Sequence, residues 1–313
     1  MGRGFFHERI NGLTSNSKDP IFRGKNQKLV GSAVEILRNE QPMTLRQLYY
    51  RCVSAGVIRN SQSEYKRLGA IMTRIREAGK VPRTWLVDHT RATLKPSSWS
   101  GLGDFGESVR ACYRKDFWAS MPHYVAIFVE KDAVAGTIQP ITNEYDVPLH
   151  VCRGYASISF AGEIADDWAT IGKPIFAYYL GDFDPSGFDL ERDLREKLAR
   201  YSGRWEEEDP DLACGKNFVW QRLGVTEEDF SVYNLVRLPV KQSDRRAGGF
   251  VEVHGDHCAE IDAIPPVKLR QQVEEAITEH IDEDRWLRLR GVERAEQETL
   301  NQFTAAWSKG NLT

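Results

Sequence analysis

From Pro122 onward the chain alternates short apolar runs with longer amphipathic stretches, and this alternation constrains the fold more than any other feature. HYVAIFVE, PLHVCRGY and PIFAYYLGD are strand-like, and the stretches SFAGEIADDWATIG and PSGFDLERDLREKLARYS are helix-like. Nearly unbroken apolar runs suit strands buried on both faces. Strand–helix–strand order predicts an α/β fold with a parallel sheet and helices on its faces. FSVYNLVRLPVK predicts a further strand near 230–238, and from Pro266 the charged sequence reads as helical to the end.

The N-terminal part has a different texture. Residues 1–26 are polar and rich in Gly, Ser and Asn, and read as a mobile arm. NQKLVGSAVEILR (27–39) has amphipathic helical spacing, Thr44 is placed to cap LRQLYYRCVSAG, and SEYKRLGAIMTRIREAG (63–79) predicts a third helix. KVPRTWLVDHTR follows with β-prone residues and suggests a small wing. Three helices and a wing make a winged helix-turn-helix pattern. Lys66, Arg67, Arg74 and Arg76 give the third helix the cations expected of a DNA-facing element. The expected domains are a winged helix over 27–95, a linker helix over 96–121, a sheet domain over 122–265 and a helical segment over 266–313.

Charge distribution agrees with a nucleic-acid partner better than the overall net charge of −3 does. Residues 1–120 hold 21 Lys and Arg against 10 Asp and Glu, whereas 121–313 hold 21 against 35. A basic half attracts a phosphate backbone, and an acidic half can supply metal ligands. Five cysteines (52, 112, 152, 214, 258) form no CxxC pair, which suits reduced thiols in a cytoplasmic protein. No apolar run predicts a membrane span or a signal-peptide core.

The candidate catalytic residues are acids at strand ends. Glu130 closes the first apolar strand, and Asp182 and Asp184 follow the third in GDFDPSG. In an open parallel sheet, ligands bind beyond the carboxyl ends of the strands. Hard oxygen donors gathered there suit Mg²⁺, with Mn²⁺ as a substitute. Each acid alone is an ordinary turn or cap; the joint spacing makes the pattern specific.

VEKDA (129–133) and GDFDPSG (181–187) resemble the two acidic motifs of the Toprim domain, in the form carried by the A subunit of topoisomerase VI and its meiotic double-strand-break relative. CRGY (152–155) resembles the basic-glycine turn after the middle strand of that family. The resemblance spans roughly residues 28–285 and is sharpest in the sheet half. It implies that Glu130, Asp182 and Asp184 bind Mg²⁺, that Glu130 also acts in proton transfer, and that Lys131 and Arg153 contact phosphate.

TLRQLYY (44–50) is similar to the family motif that carries the nucleophilic tyrosine, which implies that Tyr50 attacks DNA and forms a 5′-phosphotyrosyl link. At about 100° per residue, Leu45, Leu48, Tyr49, Cys52 and Val53 share one helix face. Tyr49 then reads as core and Tyr50 as presented outward beside Arg46, which also qualifies as a phosphate clamp. Cutting both strands with one tyrosine per chain implies a homodimer. The sequence carries no ATP-binding motif, so the chain looks like a compact stand-alone A-like protein; an ATPase would be a separate subunit. The alternatives are a Toprim nuclease that uses water and a non-catalytic DNA-binding adaptor.

Weaker signals remain. HGDHCAEID (254–262) fits no common zinc spacing and reads as a surface loop, with Glu260 and Asp262 as auxiliary acids. KQSDRRAGG (241–249) reads as a flexible loop with cations for DNA, and WEEEDPD (205–211) as a solvated insertion.

Overall fold

The computed structural model describes residues 25–87, 97–204 and 217–308. Three helices come first: α1 (Lys25–Glu40), α2 (Leu45–Ser54) and α3 (Gln62–Glu77). Thr44 caps α2 as predicted, accepting from the Gln47 N–H, while the Gln47 side chain accepts from the Thr44 N–H at 2.8 Å. This reciprocal cap satisfies two backbone donors at once. The three helices meet over Leu29, Leu37, Leu48, Leu68 and Ile75, all buried. At about 2 kcal/mol per buried aliphatic side chain, this seam holds the unit together.

The expected wing is reduced in the described residues to a short 3₁₀ turn at Arg83–Trp85 and one parallel bridge from Leu86 to Met43. Residues 88–96 and the arm at 1–24 lie outside the described residues, as does WEEEDPD; Lys25 and Asn26 already belong to α1. The linker region carries α4 (Leu102–Cys112), which runs beside the last helix. There, Lys115 meets Glu296 at 3.0 Å.

The sheet is parallel throughout, in the order β2 (Leu149–Val151), β1 (Tyr124–Val129), β3 (Ile175–Leu180), β4 (Phe218–Gly224). Three strands fall where the alternation predicts them. The fourth does not. Residues 227–232 form helix α8 (Glu227–Val232), and beyond it Leu238 makes only an isolated bridge to Cys258. Thr226 and Asp229 form a reciprocal cap, and three acids occupy the first turn of α8. Those start signals outweigh the β propensity of the aromatic and Val residues that follow.

Helices α6 (Ile158–Ala169) and α7 (Pro185–Tyr201) cover one sheet face, packing Trp168, Ile164 and Leu198 on Phe128, Ala177 and Tyr179. On the other face, α5 (Asp132–Glu144) and α10 (Pro266–Thr278) pack Val134, Ile138, Leu269 and Val273 over Ile127, Val129 and Tyr178. Alternate strand residues thus serve opposite cores, as a pleated strand demands. The second core is continuous with that of the three-helix unit. Gln47 of α2 is wholly buried there and bonds Thr137 of α5 at 3.0 Å. Helices α9 (Ala247–His254) and α11 (Glu283–Ser308) complete the described α-helices. Among the described residues, no helix is long and apolar enough to cross a membrane.

Candidate active site

Strands β1 and β3 are in register, with Val129 opposite Leu180, so the next residues leave the sheet side by side. Glu130 donates its N–H to the Leu180 carbonyl at 3.0 Å, and its Oε2 accepts the Asp182 N–H at 3.0 Å. Gly181 is required between them. A Cβ there would meet the Tyr179 ring at 2.5 Å and Glu130 Oε2 at 3.0 Å. Asp184 caps α7, accepting from the Gly187 N–H at 2.7 Å and the Ser186 hydroxyl at 2.6 Å, with Pro185 in the first turn. At Gly187 a Cβ would sit 2.3 Å from the Asp182 carbonyl oxygen. Arg222 donates to the Gly181 carbonyl at 3.0 Å and also to that of Asp182. The GDFDPSG segment is therefore a tightly folded turn that aims Asp182 inward.

Asp182 points at a cation supplied by the chain itself. Lys131 Nζ lies 2.7 Å from the Asp182 carboxylate, 3.3 Å from Asp262 and 3.4 Å from Glu260. Asp182 also accepts the Ile261 N–H at 2.9 Å. Phe183 and Ala259 pair as a bridge, which draws the 258–262 segment against the turn. Glu260 and Asp262, read from sequence only as auxiliary acids, thereby become half of the cluster.

The three-helix unit closes the cluster from the other side. Arg46 of α2 forms an ion pair with Glu260 and lies 3.7 Å from Asp262. Tyr50 borders the same depression as Arg46, and the charge of Glu260 acts on its phenol. Tyr50 is not presented outward as the helix geometry predicts. It is buried, at 6% exposure, because the 258–262 segment covers the α2 face that an isolated three-helix unit would leave open. Tyr49 is core as predicted, donating to Asn60 at 2.8 Å. A depression of about 320 Å³, bordered by Arg46, Tyr50, Asn60 and Tyr65, opens beside the tyrosine.

These charges shift one another strongly. Burial pushes the Asp182 carboxyl up to about 6, against the pull of Lys131. Burial draws the Lys131 ammonium down, but Asp182, Asp262 and Glu260 outweigh it and the net shift is upward. Burial raises Glu260, yet Lys131 and Arg46 more than reverse that and hold it ionised. Burial and the neighbouring Glu260 move the Tyr50 phenol well above its ordinary value, with Arg46 opposing.

The remaining predicted cations divide. Arg153 is exposed and pairs with Asp132 at 2.7 Å, while its N–H donates to the Glu130 carbonyl at 3.1 Å. Lys66 and Arg74 face solvent. Arg67 is tied to Glu64 at 2.8 Å and to Asn26, and Arg76 donates to the Leu86 carbonyl at 3.0 Å. Half of the expected DNA face of α3 is thus engaged within the molecule. His257 bonds Glu227 at 2.8 Å and His254 packs against Phe188 and Phe250, so the HGDHC stretch does not gather into a ligand set.

The donors at the rim suit a hard cation chemically, since Asp182, Glu260 and Asp262 face one point and Asp262 Oδ1 is buried with no hydrogen-bond partner among the described residues. In their present arrangement, however, no group of three or more His, Cys, Asp or Glu side chains among the described residues is set to hold a metal ion. The Lys131 ammonium takes the central position, and Asp184 is committed to its helix cap. Arg222 carries no motif in the sequence, and its role follows only from its place in β4 beside the turn. Comparison with known protein families finds no match for this chain, and comparison with curated proteins finds none either.

Proposed function

We propose that the chain is a DNA-cleaving enzyme in which Tyr50 attacks a phosphodiester and forms a 5′-phosphotyrosyl link, aided by Mg²⁺ or Mn²⁺. One observation carries this reading: Tyr50 borders one depression with Arg46, and Arg46 is ion-paired to Glu260 in the charged cluster that contains Asp182 and Lys131. A tyrosine on one unit and acids on another have no reason to converge for stability alone, since burying ionised groups is costly. Glu260 takes the phenolic proton, and the phenolate oxygen bonds to phosphorus. The bond from phosphorus to the 3′ oxygen breaks, and that oxygen takes a proton from water. Arg46 orients the phosphate with its planar fork, and Lys131 offsets phosphate charge. Once Lys131 turns from the acids to the phosphate, a divalent cation held by Asp182 and Asp262, with Glu130 and Asp184 on the same rim, would add neutralisation of the phosphate. Double-strand cutting calls for two protomers, and a separate ATPase subunit belongs to the same reading as a partner.

The burial of Tyr50 and its raised phenol favour a second reading, hydrolysis by water at the same acids. Supercoiled DNA incubated with the protein and Mg²⁺, then denatured, separates the two. The first reading expects a covalent adduct that Tyr50→Phe abolishes. Nicking that survives Tyr50→Phe but fails in Asp182→Ala selects hydrolysis, and inertness in every divalent ion defeats both.

A further inference from the structure

On the same rim, away from the charged cluster, the chain turns sharply after β2. Arg153 and Gly154 both take left-handed backbone conformations, with φ of 50° and 94°. For arginine this is a strained choice, and such strain persists where surrounding contacts enforce it. The Arg153 N–H is held by the Glu130 carbonyl, so the turn is anchored directly to the acid rim. Its effect is to place Tyr155 outside the fold, 54% exposed.

The Tyr155 ring is exposed but not free to swing. Its hydroxyl donates to Asp189 and accepts from Arg246 Nη1 at 2.7 Å, while Arg246 is itself pinned to Asp244 at 2.9 Å. A large aromatic side chain thus presents a face to solvent with its orientation already set. Beside it lies an open depression of about 530 Å³, bordered by Tyr155, Asp189, Lys241, Ser243 and Arg245. Lys241 and Arg245 are exposed and form no ion pair among the described residues. Arg153 adds a third exposed cation on the β2 side, half-used by Asp132.

We infer that this depression is a subsite for an unpaired nucleotide, with the base stacking on Tyr155 and the flanking phosphates held by Lys241 and Arg245. The inference rests on the reading of DNA as substrate and names the form of DNA that this side of the rim takes. Duplex DNA hides the faces of its bases; a strand with an unstacked base offers one. A fixed ring with unpaired cations around it matches the stacking platform and charged groove by which single strands are bound.

The test is binding in EDTA, where cleavage does not interfere, measured by fluorescence anisotropy on a labelled 12-nucleotide single strand and on the same sequence as duplex. Tyr155→Ala is expected to weaken single-strand binding about tenfold and duplex binding by less than about twofold. Tyr155→Phe keeps the ring but loses the hydroxyl that fixes it, and is expected to bind between the parent protein and Tyr155→Ala. Lys241→Gln with Arg245→Gln is expected to lower the slope of log K against log salt by about 1.4 on the single strand. Unchanged single-strand affinity in Tyr155→Ala, an equal loss on duplex, or Tyr155→Phe as damaging as Tyr155→Ala would each overturn the inference. Absence of the covalent adduct with these binding effects intact would defeat the nucleophile and leave the subsite standing.

Discussion

The acid cluster at the ends of β1 and β3 and the depression around Tyr155 share one rim of the sheet yet handle charge in opposite ways. In the cluster, Lys131, Arg46, Asp182, Glu260 and Asp262 are locked together, and Asp262 has no solvent exposure at all. In the depression, Lys241 and Arg245 stand in water, while Arg246 is committed to acids. The difference teaches that excess charge in this sequence has two fates. Part of the basic N-terminal half and part of the acidic C-terminal half neutralise each other across the interface of the two units, through Arg46 with Glu260 and Asp262. What is left over is the charge available to a ligand.

The sharpest way to break this contrast is to remove the central charge of the cluster. Lys131→Met leaves buried carboxylates uncompensated and should cost about 3 kcal/mol of stability in urea unfolding. Mg²⁺ should then raise the melting temperature of Lys131→Met more than that of the parent protein, because the central position is vacated. A loss under about 1 kcal/mol would show that the cluster is wetter and looser than its geometry.

Two aspartates sharpen the comparison next. Burial pushes Asp182 up to about 6, whereas the Tyr155 hydroxyl, with help from Arg192, holds Asp189 down to about 2. The raised Asp182 contributes stability that is present below about pH 4 and lost as pH rises through about 6. The depressed Asp189 contributes stability that is present above about pH 4 and lost as pH falls through about 2. Side-chain carbonyl NMR titrations should separate the two midpoints by several pH units, and coincident midpoints would remove the electrostatic distinction.

Smaller effects follow at the interface and on the surface. Arg46 is half exposed, so Arg46→Ala should cost only about 1 kcal/mol, and a double-mutant cycle with Glu260→Gln should show coupling. Independent effects would mean that the two units meet without electrostatic help. Tyr155→Ala should change unfolding stability by less than about 0.5 kcal/mol while altering nucleic-acid binding. A large stability loss there would turn the exposed ring into a structural element.

Much of this arrangement was legible beforehand. The alternating apolar runs place β1, β2 and β3, since burial on both sheet faces leaves few residue types acceptable in a strand. Thr44 announced its cap, and the Gly-Asp-x-Asp-Pro-x-Gly string announced a strand-to-helix turn with acids aimed at the rim. Strand β4 is not legible in the sequence because FVWQRLG mixes aromatic and charged residues, which its position at the edge of the sheet tolerates.

By itself, then, the order of residues determined the elements, their caps and the rim on which the acids stand, because those depend on neighbours a few positions away. Only tertiary structure decided which charges meet. The family resemblance makes Lys131 a phosphate contact, and the fold makes it the centre of an acid cluster; helix periodicity turns Tyr50 outward, and the closed fold buries it. Both outcomes turn on where the 258–262 segment packs, through the Phe183–Ala259 and Leu238–Cys258 bridges. Local periodicity carries no information about such distant pairings. The energy of a buried ion pair is set by geometry and by the exclusion of water, and neither exists until the chain has closed on itself.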